Sequence, residues 1–174
     1  MKAPQHSELR AAGAAVGQQY AALPWRDQGG LEILLVTSRE TRRWVIPKGW
    51  PMKNKKPHAA AAREALEEAG VTGRVLKRPI GAYSYIKRLK NGAPLQCSVD
   101  VFPLKVTGQL TRWREQGERT GRWFSVEEAA EAVEEPDLQA LIRGFAAHVA
   151  ADTLRKKGKK APVEAVSAPV GPET

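Results

Sequence analysis

The sequence predicts a fold of the α/β (α+β) class, a mixed sheet with helices packed on its faces. Three observations carry this: strand-like runs on both sides of one Ala-rich helical segment, a further helical region after residue 125, and turn signals between the runs. With 174 residues, 42% of them hydrophobic, the chain has enough apolar material for one domain with a real core.

Residues 1–10 show no periodicity and read as a loose arm, so the domain is expected over 11–152. Ala14 to Leu23 and Leu31 to Ser38 read as strands joined by the turn formers Asp27-Gln28-Gly29-Gly30, a hairpin. Trp44-Val45-Ile46 is a short strand that stops at Pro47, where a polar loop to Lys56 begins. Pro57 suits a first helical position, and the Ala-rich run to Ala69 has high helix propensity and ends at Gly70. Val75 to Ile86 and Leu95 to Val106 read as two strands around Asn91-Gly92, and Arg122 to Phe124 as a short one. Ser125 and Glu128 form the S-x-x-E of a capping box, which starts a helix reaching about Glu134. Pro136 restarts the helical pattern, with Leu138, Leu141, Ile142, Phe145 and Val149 on one face. From Thr153 a lysine cluster gives way to a Pro/Ala/Val stretch without a core pattern, so 153–174 is expected to be a disordered basic tail.

Composition narrows the function classes. No stretch approaches the roughly 20 apolar residues of a membrane-spanning helix, and MKAPQHSELR lacks the apolar region of a secretory signal, so no membrane partner is expected. Cys97 is the only cysteine, which excludes an intrachain disulfide and fits a cytoplasmic setting. Net charge is +9; residues 153–174 hold five Lys and Arg against two Glu, which leaves +6 for the rest. A basic body points to a polyanionic partner, a phosphate-rich small molecule or nucleic acid. The RKKGKK run lacks interleaved aromatics and predicts only weak, salt-sensitive attraction to nucleic acid.

Glu64, Glu67 and Glu68 fall at i, i+3 and i+4 of the predicted helix, so three carboxylates share one face. Their repulsion would become binding energy for a divalent cation that prefers carboxylate oxygens. An EALEE segment alone is ordinary on a solvated helix face; its flanks change the reading. Gly49 at one end and Arg63-Glu64-Ala65-Leu66-Glu67-Glu68-Ala69-Gly70-Val71 at the other resemble the Nudix box, G-x5-E-x7-R-E-U-x-E-E-x-G-U, where U is aliphatic. The resemblance implies an alpha/beta/alpha sandwich that hydrolyses diphosphate linkages with magnesium, manganese being a possible substitute. It further implies Glu64, Glu68 and the Gly49 carbonyl as metal ligands and Glu67 as the base that activates water. One position departs from the box: Lys55 stands where its first glutamate belongs.

The segments Leu34 to Arg39, Arg43 to Gly49 and Gly121 to Ser125 resemble those of the diphosphoinositol polyphosphate phosphohydrolases, a subgroup that also includes hydrolases of diadenosine polyphosphates. By position, Ser38 and Arg39 would lie near substrate phosphates, with Arg43, Lys48 and Arg119 as further cationic candidates. Trp25, Trp50 and Trp113 either stack on a base or serve packing. The alternative is a catalytically weak or inactive module of the same fold that binds a nucleotide or nucleic acid as a regulator, with Lys55 marking lost catalysis.

Overall fold

The computed structural model describes residues 15–159; the expected arm 1–10 and the stretch from Lys160 onward lie outside them. Leu31–Thr37 (β2) turns back on Gly17–Asp27 (β1), paired from Trp25↔Ile33 to Asp27↔Leu31. The turn is closed by the Gly30 amide, which donates to Asp27 Oδ1 at 3.2 Å, and Gly29 takes a φ of 74° that suits glycine. Trp44–Val45 (β3) extends the sheet beyond β2. Lys48–Gly49 (β4) pairs with Tyr20 and Ala21 of β1, so what reads as the start of a free loop is pinned to the sheet.

Pro57–Ala69 (α1) is the expected helix, and Val71–Val75 (β5) follows it directly. Gly81–Arg88 (β6) and Pro94–Gln109 (β7) form the second hairpin, and Gly121–Ser125 (β8) pairs with β2. The strand order is β3-β2-β1-β7-β5, and the β1–β7 contact is parallel while the other pairings are antiparallel, which makes the sheet mixed. Val126–Ala132 (α2) and Pro136–Lys159 (α3) complete the chain.

The alternation of side chains along each strand divides the apolar residues into two layers. Ala22, Leu34, Val36, Phe102 and Leu104 pack against Ala61, Ala65 and Ala69 of α1. On the opposite face Leu23, Ile33, Leu35, Val99 and Val101 pack against Ala129, Leu138, Ile142 and Phe145 of α2 and α3. The result is the expected helix–sheet–helix sandwich.

Besides β4, two elements differ from the sequence reading. The single strand expected over Val75 to Ile86 is two strands, β5 and β6, lying end to end along β7. The break lies opposite Pro103: the Leu76 amide donates to the Pro103 carbonyl at 2.9 Å and the Ile80 amide to the Val101 carbonyl at 2.9 Å. Those carbonyls face the break, so the ladder N–H that Pro103 lacks would have pointed there too. Second, α3 continues through the boundary expected at Asp152, because Leu154, Arg155 and Lys156 are good helix formers. Asp152 also pairs with Arg155 at 2.5 Å and Lys156 at 3.0 Å, one turn along.

The capping box at the start of α2 is formed as expected: the Glu128 amide donates to Ser125 Oγ, and the Ser125 amide donates to Glu128 Oε2, both at 3.3 Å. Ser125→Ala is expected to lower stability by about 1 kcal/mol. Urea unfolding checks this, and an unchanged midpoint would show that α2 is held by packing alone.

Candidate active site

α1 lays Ala61, Ala65 and Ala69 on the sheet and carries Glu64, Glu67 and Glu68 along its flank toward the surrounding loops. Glu68 is 6% exposed. Gly49, fixed by β4, backs directly onto Glu64: a Cβ there would overlap the Glu64 carboxyl group. Glycine at this point leaves the space that the Glu64 carboxylate occupies, so a Cβ would displace the carboxyl group rather than strain the backbone.

A second segment closes on the helix from residues 109–119. The Leu110 amide donates to the Gly70 carbonyl at 2.7 Å, Gln109 Nε2 donates to the Ala69 and Gly70 carbonyls at 3.2 and 3.0 Å, and the Glu115 amide donates to the Glu67 carbonyl at 3.0 Å. These bonds satisfy carbonyls that a helix end leaves free. Gly70 ends α1 in the left-handed region at φ 68°, and the Trp113 indole lies where a Cβ on Gly70 would stand. The clamp delivers Arg114, Glu115 and Arg119 to the box carboxylates.

The charges there are dense. Glu67 Oε1 accepts from Arg63 Nε at 2.9 Å and lies 3.5 Å from Arg114 Nη1. Arg119 Nη2 lies 3.3 Å from Glu68 and 3.4 Å from Glu115, while its Nη1 donates to the Thr37 carbonyl at 3.2 Å. Burial pushes the Glu64 carboxyl up to about 7, with Glu67 and Glu115 adding to the rise. Burial likewise pushes Glu68 up to about 7, against the opposing pull of Arg119 and Lys48. Both groups thus pay heavily for their charge unless a cation neutralises them.

As the side chains stand, no three acidic or imidazole groups among the described residues converge into a ready cage for a metal. Glu67 is drawn aside by Arg63 and Arg114, and Glu68 by Arg119. The donor set nevertheless fits magnesium or manganese: Glu64, Glu68 and neighbouring Glu115 offer only oxygen, in a partly desolvated spot flush with the Gly49 backbone. A cation bound at Glu64 and Glu68 would take the place of Arg119.

The residues predicted for substrate binding divide. Arg39 is exposed at the rim, 3.3 Å from Glu115, and Ser38 Oγ shares a 2.7 Å hydrogen bond with Thr41. Arg119 is inside the site, spent on Glu68, Glu115 and Thr37. Arg43 is spent elsewhere: its Nη1 donates to Glu135 at 2.6 Å, tying β3 to the junction between α2 and α3. Lys48 projects to the face opposite α1, with Nζ 5.0 Å from the Tyr85 ring centre, and burial lowers its ammonium to about 8 despite the pull of Glu68. Lys55 lines a groove with Ala59, Arg63, Leu66 and Thr72. Sequence reasoning missed Arg114, Glu115 and the Gln19–Tyr85 pair, whose hydroxyl donates to Gln19 Oε1 at 2.6 Å. The one available signal was the run of alternating charges from Arg112 to Arg119, which has no fixed spacing to the box.

Similarity to known proteins agrees with this geometry. The chain is 34% identical to Nudix hydrolase 12, mitochondrial, of Arabidopsis thaliana over 118 residues, 66% of this chain and 58% of that protein. It is 34% identical over 117 residues to diphosphoinositol polyphosphate phosphohydrolase 3-alpha of Mus musculus, 66% of this chain and 67% of that protein. The chain spans less than two thirds of the length of some of these relatives, 58% of Nudix hydrolase 12 and 59% of Nudix hydrolase 13 of Arabidopsis thaliana. In structure it resembles the C. elegans Ap4A hydrolase, with a TM-score of 0.58 and 21% identity over 78% of this chain and 99% of that one. The model of the NUDIX domain matches residues 18–145, which include the box, the clamp and both faces of the sheet, and the chain belongs to that family.

Proposed function

We propose that the protein is a magnesium-dependent hydrolase that cleaves a diphosphate linkage in a polyanionic substrate, either a diphosphoinositol polyphosphate or a diadenosine polyphosphate. The observation that carries this is the burial of Glu64 against Gly49 and of Glu68 one turn along, with Arg119 compensating only part of their charge, on a helix that also presents Glu67. Glu64, Glu68 and the Gly49 carbonyl would hold the metal, which supplies charge neutralisation at the phosphates and a more acidic water. Glu67 accepts the proton of the attacking water as its oxygen bonds to phosphorus and the bridging oxygen leaves with the other phosphate. Arg63 fixes the Glu67 carboxylate for this task at 2.9 Å. In this reading Arg39, exposed at the rim, and Lys48, on the far side of β4, would bind the phosphate chain. The names of the murine phosphohydrolase and the nematode hydrolase support these two substrate types.

Glu64→Gln and Glu68→Gln keep the shape and remove the charge, so each is expected to lower magnesium-dependent turnover at least about 100-fold with little loss of stability. Phosphate release at saturating and limiting magnesium checks this; unchanged turnover in both variants would remove α1 from the mechanism.

Lys55 faces the groove beside Arg63, so Lys55→Glu is expected to alter turnover by less than about threefold and to act mainly on metal dependence or substrate affinity. A wild-type chain that is inert until Lys55→Glu restores hydrolysis would instead favour the regulatory module, for which the exchanged box residue is the motivating observation.

A further inference from the structure

The structure separates Trp25, Trp50 and Trp113, the three candidates for stacking on a base. Trp25 packs edge-on against Phe145, with ring centres 5.5 Å apart, and Trp113 covers Gly70. Trp50 is 42% exposed and directly follows Gly49, the residue that backs onto Glu64. Its indole lies over the bare backbone of Gly17: a Cβ there would be 3.0 Å from Trp50 Cζ3 and 3.1 Å from Leu95 Cδ2.

That place belongs to the same face as Lys48. Gly17, Cys97 and Tyr85 form one row across β1, β7 and β6, and Leu95 pairs with Lys87 in the next row. Side chains two residues apart share a face, so the surface under Trp50 continues to Gln19, whose Oε1 holds the Tyr85 hydroxyl. The Tyr85 ring in turn lies 5.0 Å from the Lys48 ammonium. Trp50 and Lys48 therefore flank Gly49 and stand over one patch of sheet, an aromatic plane beside a half-buried cation.

We propose that Trp50 is a specificity-determining residue, the platform on which a planar base of the substrate stacks while Lys48 meets the adjoining phosphate. This rests on the hydrolase reading above and narrows it to a nucleoside polyphosphate, because an inositol ring is saturated and has no π face to lay on indole.

The test is steady-state kinetics with magnesium on wild type, Trp50→Ala and Trp50→Phe, using diadenosine tetraphosphate and a diphosphoinositol polyphosphate. Trp50→Ala is expected to raise KM for the diadenosine substrate roughly tenfold or more with kcat nearly unchanged, Trp50→Phe to restore most of the affinity, and neither to move KM for the inositol substrate. Equal KM values for the diadenosine substrate in wild type and Trp50→Ala, or equal losses on both substrates, would overturn the proposal. Calorimetric binding of ATP without metal separates this from failure of the hydrolase reading. If wild type hydrolyses neither compound, ATP binding weakened by Trp50→Ala and recovered by Trp50→Phe still supports the platform. Absent binding, or binding indifferent to Trp50, overturns it.

Discussion

The constraint on which the site depends is the enclosure of acidic side chains where little water reaches them. Glu68 is nearly buried, Glu64 fills the space that a side chain on Gly49 would take, and Glu115 joins them from a distant loop. Burial and mutual repulsion both disfavour their charged forms, and a fold retains such an arrangement only with compensation. Arginine 119 supplies part of it from within the protein, at 3.3 Å from Glu68. A divalent cation would supply it more fully, and this is the ground on which a metal site is proposed around α1.

The rest of the fold serves to hold this enclosure closed. The alanine face of α1 needs no side-chain repacking to sit close on the sheet, and that closeness brings its glutamates to β4. β4 is only two residues long, yet its pairing with β1 sets Gly49 on one side and Lys48 on the other. At the far end of the helix, Gly70 admits the Trp113 ring, and the hydrogen bonds from Gln109, Leu110 and Glu115 keep the loop from lifting. The conformational requirement of Gly70 and the steric requirement of Gly49 are thus separate reasons for the two glycines that bracket the box.

The sequence was legible where the signal is local. Pro57, the alanine run and Gly70 specify α1; Ser125 and Glu128 specify the start of α2; the register of Glu64, Glu67 and Glu68 specifies a shared helix face. What depends on a neighbouring strand was not legible. The break between β5 and β6 falls at Pro79, which has no N–H to give to a ladder, and opposite Pro103 of β7; Pro79 was the local signal inside the expected single strand, whereas Pro103 lies beyond both strands in the chain. Likewise Glu115 reaches Glu67 only because β5 and β7 pair and bring the ends of α1 and β7 together. Arg43 and Lys55 show the same limit for direction: their positions near the box were evident, but the partner each side chain faces, Glu135 or the groove beside Arg63, is set by tertiary packing.

The central claim, that the enclosed carboxylates form a cation site whose shape depends on Gly49, is tested most directly by titrating substrate-free protein with manganese and following the free ion by electron paramagnetic resonance. Saturable binding is expected in wild type, displaced by magnesium and weakened at least about tenfold in a folded Gly49→Ala variant, whose added methyl group would push the Glu64 carboxyl aside. Absence of binding in wild type, or equal affinity in Gly49→Ala, would contradict the account.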